Sequence, residues 1–289
     1  MTNPSEPRVI TPRLLREWAL PVPGGGKDSR GTVLVVGGSR FTPGAVMLAG
    51  IAALRAGAGV LQLGVAESSA TALSIAVPEA LVVGLPETAE GSVAGDPPAR
   101  LTDLAAAARV IAIGPGLDDV QLAGELLERL LGSAGPETAL VLDAYALGAL
   151  SREPELLRHR PQPVVLTPNM TEAAYLLDAD PGDDIGAAAV EIAGRYAAVV
   201  SLFGHIADPH GRLWREESGA AGLGTSGSGD VRAGIVAGFL ARGAGAAQAA
   251  CWGTYVHAVS GQRLVPRFGR VGFLARELLD EIPRTVAEV

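Results

Sequence analysis

The sequence predicts a three-layer α/β fold: a mainly parallel central sheet with helices on both faces and a small edge hairpin. Short apolar runs rich in Val, Ile and Leu recur along the chain, each ended by Gly, Asp or Pro and most followed by a helical pattern, as in βαβ units. The composition points the same way. Hydrophobic residues make up 48% and aromatics only 4%, so the core is Ala, Val, Leu and Ile, the filling of parallel sheets covered on both faces.

Taken in order, Thr11 followed by Pro12 opens a short helix, with Thr as the cap and Pro at the first helical position, where its missing N–H costs nothing. PVPGGGKDSRG is a loop, GTVLVVGG a buried strand, and residues 43–57 a helix that packs closely through alanines and glycines. VLQLGV, ALVVGL, RVIAIG, ALVLDA, PVVLTP and AAVVSLF are further strands. Residues 118–131, with leucines at 122, 126, 127 and 130, form an amphipathic helix between two of them. IADPHGRLWRE then sets a Pro-His-Gly turn between two extended runs, an antiparallel hairpin at the sheet edge. Three helices close the chain, at 230–242, 246–264 and 271–287. No linker, repeat or low-complexity segment intervenes, so residues 11–289 read as one domain and residues 1–10 as a loosely ordered N-terminus.

Charge and cysteine usage exclude several classes of function. A net charge of −8 gains nothing from nucleic acid or an acidic membrane surface, which leaves small-molecule chemistry. The single cysteine, Cys251, sits in an apolar helical context and reads as a buried, inert thiol. MTNPSEPRVITPR has no apolar stretch of leader length. The expectation is a cytoplasmic protein, with a homo-oligomer left open.

In a doubly wound sheet, ligands bind outside the carboxyl ends of the strands. That rule selects the loops at 37–45, 114–117, 143–145, 167–172 and 222–230. The last is the most informative: Gly222, Gly224, Gly227 and Gly229 alternate with Thr225, Ser226 and Ser228 before an apolar helix begins. A helix N-terminus offers unpaired N–H groups and the positive end of the macrodipole, and glycines let a phosphate approach them. Among 38 glycines a GxGxxG arises easily by chance. This one lies far from the N-terminus, so a phosphate nest of Gly227, Ser228 and Gly229 describes it better than a dinucleotide fingerprint. Asp230 admits two readings, helix N-cap or general base beside a phosphate. Elsewhere the plainer readings are favoured: Asp143 as a turn cap, Glu172 as a first-turn helix acid and His257 as a satisfied core histidine.

Set in order, GTVLVVGGSRFTPGAVMLAGIAALRAGAGV, PEALVV, AIGPGL, VLDAYAL, LTPNMTEAAYLL, GTSGSGDVRAGIVAGFLARG and YVHAVSG resemble the ADP- or ATP-dependent NAD(P)H-hydrate dehydratases of the ribokinase-like superfamily. The resemblance runs from about residue 11 to 284. It implies repair of hydrated NADH and NADPH, in which a phosphoryl group from ADP or ATP activates the hydroxyl for elimination. It further implies that Ala45, Gly116 and Asn169 contact the hydrated cofactor, that Gly204 and Gly229 lie at the nucleotide, and that Asp230 is the base. Mg²⁺ is expected to bridge phosphates, mainly through water and nucleotide oxygens, with no metal ligand from the protein.

The chain also departs from the family pattern. TPHPGE becomes Thr167 to Glu172 with Asn169 for the histidine, Phe203 stands for the lysine before Gly204, and Tyr145 alters the DADAL segment. Arg232 occupies a place where an apolar residue is usual, to be read as a replacement charge at the phosphates, a salt bridge or a solvated arginine. Two other activities stay open on these changes: a small-molecule kinase acting on a vitamin precursor or sugar alcohol, and a silent nucleotide-binding protein.

Overall fold

The computed structural model describes residues 6–22, 24–158, 160 and 162–289. The first half of the chain runs β1 (Arg8–Val9), α1 (Pro12–Glu17), β2 (Thr32–Val36), α2 (Pro43–Arg55), β3 (Val60–Ala66), α3 (Glu67–Ala76), β4 (Ala80–Leu85), α4 (Ala99–Ala107), β5 (Val110–Ile113), α5 (Val120–Ser133) and β6 (Ala139–Leu142). It continues with α6 (Tyr145–Arg152), β7 (Val164–Leu166), α7 (Met170–Leu177), α8 (Ile185–Tyr196), β8 (Val199–Leu202), β9 (His205–Ala207) and β10 (Leu213–Arg215). Three helices follow, α9 (Ser228–Ala241), α10 (Ala246–Phe268) and α11 (Ala275–Ala287).

The strands form one sheet in the order β1-β10-β9-β8-β7-β6-β5-β2-β3-β4. Only β9 runs against the rest, since it is antiparallel to both β8 and β10 while β1 is parallel to β10. Side chains alternate across each strand. Val33 and Val35 therefore join the apolar cluster beneath α2, α9, α10 and α11, whereas Leu34 and Val36 join the cluster beneath α4 to α8. Both faces are covered, which is why the strands appear in the sequence as unbroken apolar runs.

The expected hairpin forms, but β1 lies outside it. Of the ten N-terminal residues expected to be loosely ordered, 1–5 lie outside the described residues, and Arg8 and Val9 pair with Trp214 and Arg215. Two residues carry no period, so nothing in the sequence marks this strand. Helix α1 begins as the Thr-Pro pair predicts, with the Leu14 N–H donating to Thr11 Oγ1 at 3.2 Å.

Helices α2 and α9 position the site. A Cβ on Gly234 would overlap the Ala49 carbonyl oxygen, and one on Gly238 would lie 2.5 Å from the Ala53 carbonyl oxygen. The two backbones are thus in contact, and the contacts advance in the same direction along both helices. Since α2 leaves the carboxyl end of β2, the N-terminus of α9 arrives at that same edge.

Candidate active site

The carboxyl ends of the central strands are level. Val36, Ile113, Leu142 and Leu166 are successive register partners across β2, β5, β6 and β7, so the loops that follow them open side by side. The loop after β2 is bonded to the loop after β5: the Gly38 N–H donates to the Pro115 carbonyl and the Ser39 N–H to the Gly116 carbonyl, each at 2.8 Å. Thr42 Oγ1 adds a 2.7 Å bond to the Gly116 carbonyl. Gly116 has φ +70°, and a Cβ there would lie 2.5 Å from the Thr42 carbonyl oxygen and 3.0 Å from the Ala45 Cβ. Ala45 and Gly116 are therefore neighbours, and this contact admits only glycine at 116.

One turn beyond Ala45, Leu48 meets the start of α9. Gly227 is its N-cap residue, in the left-handed region at φ 84°, where a Cβ would lie 2.6 Å from Leu48 Cδ1. No side chain caps this terminus, so the reading of Asp230 as the N-cap is incorrect; Asp230 is the third helical residue. The Ser228 N–H donates to the Thr225 carbonyl and the Val231 N–H to the Gly227 carbonyl, each at 3.2 Å. The N–H groups of Gly229 and Asp230 have no such loop acceptor among the described residues, as first-turn donors do not. A Cβ added to Gly229 would meet nothing within 4 Å. An anion can reach those donors. The Ser228 side chain turns the other way, 2.8 Å from His257 Nε2, and both residues are buried. His257 is thus a satisfied core histidine, held neutral by a pKa of about 3 that follows from its burial.

Three carboxyl groups from three elements converge here. Asp143 ends β6, is buried, and accepts from Thr167 Oγ1 at 2.7 Å; no side chain caps α6 behind it. Burial raises its pKa against the pull of Arg232, the Thr167 hydroxyl and the Ala144 N–H. Glu172 is raised to about 7, first by burial and then by Asp143. Asp230 is likewise raised to about 7, by burial and then by Asp143 and Glu172. A carboxylate poised near neutrality can accept a proton from a hydroxyl and return it, as a general base does.

Asn169 and Glu172 form a capping box at the start of α7: the Glu172 N–H donates to Asn169 Oδ1 and the Asn169 N–H to Glu172 Oε2, both at 2.9 Å. The first-turn reading of Glu172 holds, and sequence reasoning missed its second character as a group titrating beside Asp230. The Ser/Asn-x-x-Glu spacing signals the cap, whereas nothing local signals the approach of Asp143. The Asn169 carbonyl oxygen is used by the cap, leaving its amide nitrogen as the donor that a ligand can take. Arg232 makes no ion pair among the described residues; its Nη2 donates to the carbonyls of Thr167 at 2.6 Å and Pro168 at 3.3 Å.

Gly204 lies at the other side of β7, in the turn between β8 and β9, with its carbonyl accepting from the Glu216 N–H at 2.8 Å. Phe203 and Gly204 both have positive φ, 45° and 85°, the twist that a two-residue hairpin turn requires. Phe203 is 70% exposed. An exposed aromatic residue in a left-handed backbone is uncommon, and it stands where the family pattern has lysine. Among the described residues, no group of three or more His, Cys, Asp or Glu could hold a metal ion, and no helix is long and apolar enough to cross a membrane.

Comparison with known proteins identifies the family. The NAD(P)H-hydrate dehydratase family matches residues 33–284. The chain is 46% identical over 294 residues to the ADP-dependent (S)-NAD(P)H-hydrate dehydratase of Xanthomonas campestris, covering 98% of this chain and 97% of that relative. It is 37% identical to the bifunctional NAD(P)H-hydrate repair enzyme of Moorella thermoacetica over 90% of this chain and 50% of the other, spanning half of that longer protein. Among solved structures, the ADP/ATP-dependent NAD(P)H-hydrate dehydratase of Bacillus subtilis, co-crystallised with ATP and Mg²⁺, superposes with a TM-score of 0.81 at 26% identity, covering 98% of this chain and 99% of that one. With the family match spanning residues 33–284 and a relative aligned along nearly its whole length, this chain belongs to the NAD(P)H-hydrate dehydratase family.

Proposed function

We propose that this protein removes water from hydrated NADH and NADPH at the expense of a nucleotide's phosphoryl group, with Asp230 as the general base. The observation that carries the role of Asp230 is its place: a carboxyl held at a pKa of about 7, one residue from the open backbone of Gly229 at a helix N-terminus. The free N–H groups and positive dipole of α9 hold a phosphate there without a side chain. Asp230 takes the proton of the substrate hydroxyl as that oxygen accepts the phosphoryl group. Phosphate then departs with the electron pair of the carbon–oxygen bond, the adjacent ring carbon gives up a proton to water or to the departing phosphate, and the dihydronicotinamide double bond is restored.

Ala45 and Gly116 form one wall for the hydrated ring, and the free amide nitrogen of Asn169 supplies a donor from the facing loop. Gly204, Gly227 and Gly229 offer backbone to the nucleotide, and Ser228 only its position, since its hydroxyl serves His257. Mg²⁺ would supply positive charge at the nucleotide's phosphates, and no residue of this chain is assigned to hold it. ADP is the proposed donor, in keeping with the name of the Xanthomonas relative.

The test is to mix hydrated NADH, Mg²⁺ and either ADP or ATP with the protein and follow absorbance in the reduced-nicotinamide band. Recovery that requires both nucleotide and protein is expected, faster with ADP. Absence of recovery with either nucleotide would sink the proposal.

A further inference from the structure

We propose that Arg232 is a positioning residue that locks the turn after β7 to the first turns of α9, so that Asn169, Glu172 and Asp230 face one substrate together. Three facts lead there. Arg232 lies two residues after Asp230 in a helix otherwise nearly all apolar, where a guanidinium removed from water needs partners. It makes no ion pair among the described residues although Asp143 and Glu172 both act on its charge. Its hydrogen bonds go to the two carbonyls that immediately precede Asn169, those of Thr167 and Pro168.

Both bonds come from one nitrogen, Nη2, which the rigid planar guanidinium holds one bond farther along the side chain than a lysine carries its ammonium. The connection extends further. The Thr167 hydroxyl donates to Asp143, and Asn169 begins the capping box that orients Glu172. Arg232 thus ties together the ends of β6 and β7, the start of α7 and the helix carrying Asp230. Its Nε is enclosed and has no acceptor among the described residues. The charge acts as well as the clamp: Arg232 favours ionised Asp143 and Glu172.

Replacement by leucine removes clamp and charge together, and Arg232→Lys removes the clamp alone. The inference rests on the dehydratase reading for its kinetics and stands without it for its melting curves. In Arg232→Leu, KM for hydrated NADH rises ~10-fold or more while KM for ADP changes little, as expected when one partner of a built site is misplaced. The ascending limb of its kcat/KM profile moves to higher pH, because loss of a nearby cation favours protonated carboxyls. Arg232→Lys restores the limb and leaves KM raised. Independently of turnover, the melting temperature of Arg232→Leu falls more steeply with rising pH than that of wild type, and Arg232→Lys returns the wild-type slope. An inactive wild type would refute the dehydratase reading, and the slopes would still test Arg232. Wild-type KM and wild-type pH slopes in Arg232→Leu would overturn the inference. If Arg232→Leu fails to fold, Arg232→Lys decides, since unchanged KM for hydrated NADH in that variant also overturns it.

Discussion

At the scale of single residues, Asp230 joins stability to chemistry. Its carboxyl is raised from an ordinary value near 3.8 to about 7 by burial and two neighbouring acids, so between those values the folded chain binds more protons than the unfolded one. Stability then falls as pH rises through that window, and the full cost is present above it. Asp230→Asn removes the cost. The variant should melt higher than wild type at pH 8, by ~1–2 kcal/mol after discounting for partial exposure, or roughly 2–6 °C. The gain should shrink towards pH 5. Turnover should fall ~10² to 10⁴ while nucleotide still binds, because the charge repelling phosphate is gone. In wild type, kcat/KM should rise with pH on a limb near 7 that belongs to Asp230 and Glu172 jointly, as expected for coupled acids. Paired melting curves and single-turnover rates on both proteins check this, and equal rates would remove Asp230 from the chemistry.

At the scale of elements, α9 contains both a binding glycine and a packing glycine, and the same substitution separates them. A Cβ at Gly229 enters open space, while one at Gly234 enters the carbonyl of Ala49. Gly229→Ala should leave the melting temperature unchanged or slightly raised, since alanine favours helix, yet weaken ADP binding ~10-fold or more in calorimetry. Gly234→Ala should cost ~1–3 kcal/mol by overpacking and alter ADP affinity far less. The reverse pattern would mean that the anion site is elsewhere. This distinction was invisible in the sequence, where both residues are glycines in one small-residue run. What was legible there is what repeats: Val33 to Val36, Val110 to Ile113 and Leu140 to Leu142 are buried on both faces and so betray their strands. The capping box at Asn169 has a spacing signal, Asn-x-x-Glu, of which only the first-turn acid Glu172 was read. The joining of Asp143, Glu172 and Asp230 was not legible, because each sits in an ordinary local context and only the level ends of β6 and β7 bring them together. Phe203 was noticed as a departure, but no aromatic residue announces a positive φ.

At the scale of the molecule, the site is assembled from chain segments between Gly37 and Asp230 that share one edge of one sheet. The proposed substrate contacts, Ala45 and Gly116, are bonded into the loops after β2 and β5, and the proposed nucleotide contacts gather at α9 and at the turn after β8. Leu48, one turn beyond Ala45, lies against Gly227 and so separates the two sets by one side chain. Phosphoryl transfer needs both ligands present at once, so the two sets should fill without excluding each other. The prediction is made for Asp230→Asn, which binds without turning over. ADP with Mg²⁺ alone at a hundredfold excess over its Kd should stabilise the fold by ~2.7 kcal/mol, and hydrated NADH alone at the same excess by a similar amount. Together they should give the sum, ~5 kcal/mol, since each adds its own binding free energy to the folded state. A combined shift equal to the larger single shift would mean that the ligands compete for one space. In that case transfer within one site is impossible, and the division of the carboxyl edge into a cofactor half and a nucleotide half would have to be abandoned.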